Sequence, residues 1–494
     1  MIRKKIEELF GIDLRSLAAF RIGLALVVLG DALSRSFDLV SFHSDLGFTP
    51  RHLILKYYPS LWSISAHMMS GSPVFQAALF GLAILLAFLL LIGWRTRLVT
   101  CFSWFLLMSM QVRNPMVLHS GDYWLRLQLF WAMFLPLGAG YSVDHLFKTG
   151  REKGPRTLLS MGTLALLGQA VLVYVFSAYT KWMNLSWQEG RAVYQALQTG
   201  QYVTPWGDAL VHLPFGVMKL LSYAVLLYET LGPVLLFTPV YTGPVRTLAV
   251  FGFFLLQSGF GVCMVLGNFP WVSAVAMLPF IPAWAWEHFP VRFRIPDGEK
   301  IKKRVREMTG WMNSLRASRL PSRAGDAAVL FFFACAVLIN VQSVARVRIL
   351  PPWLDWVQQG LYLDQTWTMF SPPDESSAWF VVEGERRDGT RIDLLQKGAP
   401  VRRGAPSSDS KFYRNITWYK FLSHLWTPSY KDYLPYYAWY LCQKWNRGVG
   451  ESQEIKRLTI YSVWQRFYPK KDRIKRTPLW THYCFKKDLP PNLV

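Results

Sequence analysis

Residues 73–94 read PVFQAALFGLAILLAFLLLIGW. No charged side chain interrupts them, and a helix of this length crosses the roughly 30 Å hydrocarbon core of a bilayer. Comparable stretches recur along the chain. By apolar length there are about nine, near 16–35, 73–94, 97–113, 120–141, 157–181, 219–240, 246–266, 270–288 and 325–345. The chain has 494 residues, 52% of them hydrophobic and 17% charged. A soluble fold of that composition would expose too much apolar surface. The reading is an all-α polytopic membrane bundle. Residues 48–68, FTPRHLILKYYPSLWSISAHM, read as an interfacial helix or a packed loop instead of a span.

The net charge is +23. In a soluble protein nucleic acid would come first. Here the basic residues sit beside spans, so topology and anionic lipid headgroups account for them and nucleic acid is set aside. The first apolar stretch follows MIRKKIEELFGIDLRSL without a small-residue cleavage site, so it reads as a retained span. Basic loops at the N-terminus, 95–97, 148–156 and 292–323 alternate to one side. With an odd number of spans, the positive-inside rule puts the N-terminus in the cytoplasm and the tail outside. The 292–323 segment, RFRIPDGEKIKKRVREMTGWMNSLRASRLPSR, reads as a cytoplasmic basic amphipathic helix on the membrane.

Two domains follow: a transmembrane one over 1–346 and a small extracytoplasmic α+β one over 347–494. In the tail, WFVVEGERRDGTRIDLL (379–395) alternates around Asp388-Gly389 as a β-hairpin does. DYLPYYAWYLCQKWN (432–446) reads as helix and KRLTIYSVWQRFY (456–468) as strand. Of five cysteines, Cys101, Cys263 and Cys335 lie in apolar stretches, while Cys442 and Cys484 lie in the tail and would pair in an oxidising compartment. No Cys/His spacing suits a metal.

Ionisable groups at membrane depth are costly and mark either paired structure or a cavity. They are Arg21, Asp31, Asp122, Arg126, Lys181 and Glu229, with the polar Gln257 beside them. In VLHSGDYWLRLQLF (117–130), His119, Asp122 and Arg126 fall at i, i+3, i+7, one face if the helix already includes residue 119. One reading is a helix start, with Ser120 capping and Arg126 paired with Asp122. The other is a polar pocket at the outer membrane face. In VFSAYTKWMNLSWQEGRAVYQAL (175–197), Lys181 ends a span. It either snorkels beside Trp182 and Trp187, or acts as a base in a partly dry pocket. Glu229 sits mid-span and calls for a buried partner such as Arg21 or Arg126, as a structural pair or a proton relay.

Four segments in order, DLRSLAAFRIGLALVVLGD (13–31), LHSGDYWLRLQLFWAMFLPLGAGYSVD (118–144), YTKWMNLSWQEGRAVYQAL (179–197) and VLGNFPWVSAVAMLPF (265–280), resemble the HTTM family. This is the horizontally transferred transmembrane domain shared by vitamin K-dependent γ-carboxylases and bacterial membrane proteins. LDQTWTMFSPP (363–373) resembles the segment opening the periplasmic domain of bacterial members. The resemblance covers most of 10–400. It implies a helical bundle in the bacterial cytoplasmic membrane with an extracytoplasmic domain. In the carboxylases such a bundle binds a reduced quinone, vitamin K hydroquinone, and a lysine base starts its oxygenation.

The resemblance also implies roles: Lys181 and His119 as catalytic candidates, with Asp122, Arg126, Trp187, Gln257, Glu229 and Arg21 around the cofactor. This chain departs at three chemical positions. The second lysine of the carboxylase pair is Trp182, a histidine falls near Gly121, and another falls at Gln257. These departures argue against carboxylation. Two functions stand: a quinone-linked enzyme of carboxylase type, or a non-catalytic subunit or maturation factor with a protein partner. The first expects a cavity holding Lys181, His119 and Asp122. The second expects ion-paired polar groups and no ligand-sized void. A transporter fits less well, because no inverted repeat or paired broken helices are visible.

Overall fold

A computed structural model describes the chain except residues 1, 61, 63, 147–155, 200–201, 290–321, 403, 405–412, 469, 471 and 490–494. The basic 292–323 segment therefore lies almost wholly outside the described residues.

Among the described residues, six helices are long and apolar enough to cross a membrane, which makes this an integral membrane protein. They can be followed in chain order. Helix α1 (Leu14–Ser36) starts where the Asp13 carboxylate accepts the Arg15 backbone N–H. Helix α2 (Pro73–Ile92) begins on a proline and ends at Gly93, whose φ of +75° lets the backbone fold back onto Leu89 and Leu90. Helix α3 spans Thr96–Arg113 and α4 Ser120–Ala132. Helix α5 (Met161–Trp182) opens with a capping box between Ser160 and Thr163. Then come α6 (Phe215–Leu236), α7 (Thr242–Cys263), α8 (Phe269–Met277) and α9 (Arg323–Ala345). The six candidate spans are α1, α2, α5, α6, α7 and α9.

Three of the nine expected spans do not belong to that class. Helix α3 has the length but carries Arg97, Gln111 and Arg113. Helix α4 is 13 residues and α8 is 9, short of the roughly 20 a crossing requires. Their apolar character has another cause. In α4 every residue but Ser120 and Tyr123 is buried, packed against α3, α5 and α8, so its hydrophobicity serves protein contacts. The rest of the bundle pairs α1 with α2, α5 with α6 and α9, and α6 with α7.

The C-terminal region carries an antiparallel sheet of β1 (Ser376–Arg386), β2 (Arg391–Asp393), β3 (Ala399–Pro400), β4 (Ile455–Arg466) and β5 (Lys475–Tyr483), ordered β3-β2-β1-β4-β5. The Asp388-Gly389 hairpin forms, with Gly389 at φ +85°. Helices α10 (Ile416–Leu425) and α11 (Tyr433–Asn446) cover one face, and Cys442 is disulfide-bonded to Cys484. The 48–68 stretch is a packed loop with a short helix, Arg51–Tyr57, not a span. Phe42, Phe48, Leu53 and Ile54 join α10, α11 and the sheet in one apolar cluster, so the N-terminal half builds part of the tail's core.

Candidate functional site: a cavity beneath the C-terminal region

A cavity of about 850 Å³ lies between α5, α6 and α7 and reaches α10 of the C-terminal region. It is lined by Lys181, His119, Glu229, Gln257 and Trp187, five of the eight residues singled out above. Asp122, Arg126 and Arg21 do not line it.

Helix periodicity builds its polar end. Tyr174, Ser177 and Lys181 fall at i, i+3 and i+7 of α5 and so share the face turned to α6. Lys181 Nζ meets Glu229 Oε2 at 2.6 Å, and the Ser177 hydroxyl donates to the same oxygen at 3.1 Å. Lys181 is 3% exposed and Glu229 4%, so the lysine does not snorkel. A buried pair of this kind is tolerated because each charge is compensated by the other at contact distance. The ammonium also lies 5.3 Å from the Trp187 ring centre, and the Trp187 indole N–H donates to the Phe370 carbonyl at 2.7 Å. Trp182 instead is 40% exposed and hydrogen-bonds Thr230.

Gln257 reaches in from α7. Its amide N–H donates to the Tyr174 hydroxyl at 3.1 Å, while its Oε1 has no hydrogen-bond partner although the residue is 2% exposed. A buried acceptor left open in a cavity wall favours a ligand carrying a donor.

His119 marks the other end. It is the N-cap of α4, with Nδ1 accepting the Gly121 backbone N–H at 3.1 Å, while Asp122 accepts the His119 backbone N–H at 2.9 Å. Ser120 is therefore not the cap. His119 is extended (φ −134°, ψ 173°), so the expected common face of His119, Asp122 and Arg126 does not form. Gly267, at φ +65°, lets the chain pass His119: a Cβ there would lie 2.6 Å from Nε2.

The expected charge pairs are rearranged. Asp122 binds Arg35, which also binds Asp31 at 3.0 Å, and Asn268 donates to Asp31. Arg126 pairs with Asp364 at 2.9 Å and donates to Gln111 Oε1 at 2.7 Å. Arg21 donates to the carbonyls of Leu137 and Tyr141. Neither arginine meets Glu229: Arg126 is taken by Asp364 and Gln111, and Arg21 by main-chain carbonyls.

Lining residues that had not been singled out include Ser177, Tyr174, Lys420 and Asp374. The first two were legible from the helical spacing to Lys181. Lys420 and Asp374 come from the tail, and no local pattern announces them. Asp374 accepts a hydrogen bond from the Tyr202 hydroxyl at 2.7 Å. Burial lowers the Lys420 ammonium below the ordinary lysine value, partly opposed by Asp374 and Asp122. Among the described residues, no group of three or more His, Cys, Asp or Glu side chains could hold a metal ion.

Comparison decides nothing further. The chain matches no protein-family model, no curated protein and no solved structure.

Proposed function

We propose that this chain is a multi-pass membrane protein of the HTTM, vitamin K-dependent γ-carboxylase-like type. In this reading its cavity binds a quinone-type small molecule without running the carboxylase reaction. The observation that carries the proposal is a mostly apolar cavity of about 850 Å³ with Lys181, Glu229, Ser177 and the open Gln257 acceptor on its wall. Pockets of this size bury drug-sized ligands, with a few polar groups fixing orientation. A reduced quinone supplies both an apolar body and a hydroxyl donor for Gln257 Oε1. The void speaks against a purely structural subunit, for which paired charges without a ligand-sized space are expected.

Two geometric facts support the loss of carboxylation. Trp182, at the position of the carboxylase base, faces away from the cavity onto Thr230. At Gly121 any side chain would run into Asn268 Oδ1 and the Phe269 backbone N–H, so a histidine has no room there. If the protein is an enzyme instead, Lys181 with Glu229 is its proton-handling pair.

The finer topology belongs to the same proposal. Helices α3, α4 and α8 complete nine passes in this reading, the short α4 and α8 being tolerated at membrane depth because they are buried in protein. Residues 347–494 then form an extracytoplasmic domain on a bacterial cytoplasmic membrane, with the N-terminus inside. The Cys442–Cys484 bond supports an oxidising location for the tail.

Native mass spectrometry of the protein released from gentle detergent, with extraction and identification of any small molecule, tests this. A quinone-sized ligand that is lost in Gly259→Leu supports the reading. Gly259 lines the cavity, and a Cβ there meets nothing within 4 Å, so the leucine side chain starts in open space at the cavity wall. A bound polypeptide with an empty cavity rejects the reading in favour of an assembly or maturation subunit.

A further inference from the structure

Two lysines line the cavity, Lys181 and Lys420. Lys181 is neutralised by Glu229. Among the described residues no carboxylate lies within ion-pair distance of Lys420: Asp374 and Asp122 act on it only at longer range, and its ammonium lies 6.0 Å from the centre of the Tyr419 ring. It is supplied by α10, so the C-terminal region places a positive charge on the wall of a pocket otherwise built by the bundle. The carboxylate nearest in function, Asp374, is held by Tyr202.

The wall leading there is apolar and continuous with the lipid-facing surface. Leu248, Phe251, Leu255 and Val262 form an exposed stripe along α7, at 70%, 56%, 58% and 52%. Leu255 and Gly259 belong both to that side and to the cavity lining. From Leu255 to Cys263 the helix rises about 12 Å. It ends beside Gly267, whose missing Cβ would touch His119 and Ile416, the first residue of α10. An acyl chain passing between lipid-facing side chains at Leu255 therefore leads to Lys420 within the length of a membrane amphiphile.

We propose that the cavity holds a second subsite, in which Lys420 of the C-terminal region binds the anionic headgroup, phosphate or carboxylate, of a membrane amphiphile whose chain enters beside Leu255. This rests on the cavity being a ligand site, and it adds a charge preference that a quinone by itself does not require. Aliphatic length secures the apolar part, and a charge-assisted contact in a partly dry site selects the anion. The C-terminal region then acts as a selectivity element over the bundle.

The test uses the full chain in nanodiscs of neutral lipid and a fluorescent long-chain phosphate monoester, beside its uncharged alcohol. The wild-type protein is expected to bind the phosphate on the order of tenfold more tightly than the alcohol. Lys420→Gln should lose that preference while binding the alcohol unchanged, which also shows that the variant is folded. Lys420→Arg should restore it, and Gly259→Leu should weaken both probes. Equal binding of the two probes by the wild type, or an unchanged preference in Lys420→Gln, overturns the proposal. Displacement of the probe by millimolar inorganic phosphate alone would also overturn it, by making the ligand a free anion. If neither probe binds and Gly259→Leu changes nothing, the cavity reading fails with it. If a quinone is retained and the preference is absent, only this inference fails.

Discussion

At Lys181 the local chemistry is decided by one oxygen. Glu229 Oε2 receives both the ammonium and the Ser177 hydroxyl. Removing one member of a buried pair leaves an uncompensated charge, which costs about 3–5 kcal/mol. Lys181→Met should therefore lower the unfolding midpoint in detergent sharply, and so should Glu229→Gln. The double variant should recover most of the loss. A thermal-unfolding cycle over the four proteins checks this, and additive losses would show that the two groups do not interact. The double variant also separates chemistry from folding, since it tests activity in a folded protein without the pair.

His67 offers a pH prediction outside the spans. Burial, with the Arg113 charge beside it, pushes its pKa down to about 4, and Nδ1 lies 2.8 Å from the Ser109 hydroxyl. The folded state thus disfavours protonation relative to the unfolded chain, whose histidine titrates near 6.5. Between those values the unfolded state binds more protons, so stability falls as pH drops from about 6.5 to about 4, by up to about 3 kcal/mol. Denaturation followed across that range should show the decline, and His67→Gln should reduce it, the buried His43 contributing in the same direction.

At the scale of elements, the start of α3 is held by a group from elsewhere in the chain. Helix α3 begins after Arg95, in the left-handed region at φ +43°, with no side-chain cap of its own. Asp144 supplies one: its carboxylate accepts the backbone N–H groups of Arg95 at 2.6 Å and Thr96 at 2.8 Å, and the Thr96 hydroxyl at 2.9 Å. Asp144→Ala should cost about 1–2 kcal/mol and Asp144→Asn less, read as unfolding midpoints. Equal midpoints for all three proteins would show that α3 does not depend on this cap.

The α4 start shows the limit of pattern reading. Spacing alone put His119, Asp122 and Arg126 on one face, but this requires residue 119 to be helical. Its role as cap turns the backbone extended, so only His119 reaches the cavity. The α5 face, Tyr174-Ser177-Lys181, was legible because all three residues lie well inside one helix.

Across the whole molecule, the bundle and the tail share a core. Phe42, Phe48, Leu53, Ile54, Met116 and Val117 lie in the same cluster as Phe421, Tyr437 and Ile460. A chain ending at residue 346 would expose those side chains, and residues 347–494 expressed alone would lack them. Neither piece should behave as a folded monomer, and size-exclusion chromatography should show aggregation of both. The disulfide closes a loop of sequence separation 42, for which chain entropy gives about 4 kcal/mol. Cys442→Ser should destabilise the protein by about 2–4 kcal/mol, and reductant should lower the wild-type midpoint to match. No response to reductant would mean that the bond is absent in solution.

What the amino-acid sequence determined by itself is local. Apolar length placed the six membrane helices among nine expected spans, alternation around Asp388-Gly389 specified the hairpin, and the helical period carries the α5 face, of which only Lys181 was singled out. These follow from periods of 3.6 and 2 residues, which operate within a single element. It overstated the spans, because a buried interior helix such as α4 is as apolar as one facing lipid. Which charge meets which was decided only by the tertiary structure. Glu229 took Lys181 and not an arginine, Asp122 took Arg35, and Lys420 arrived at the cavity from the far end of the chain. Ion pairs and cavities are set by distance between elements, and distance between elements is a property of packing that no single stretch of sequence carries.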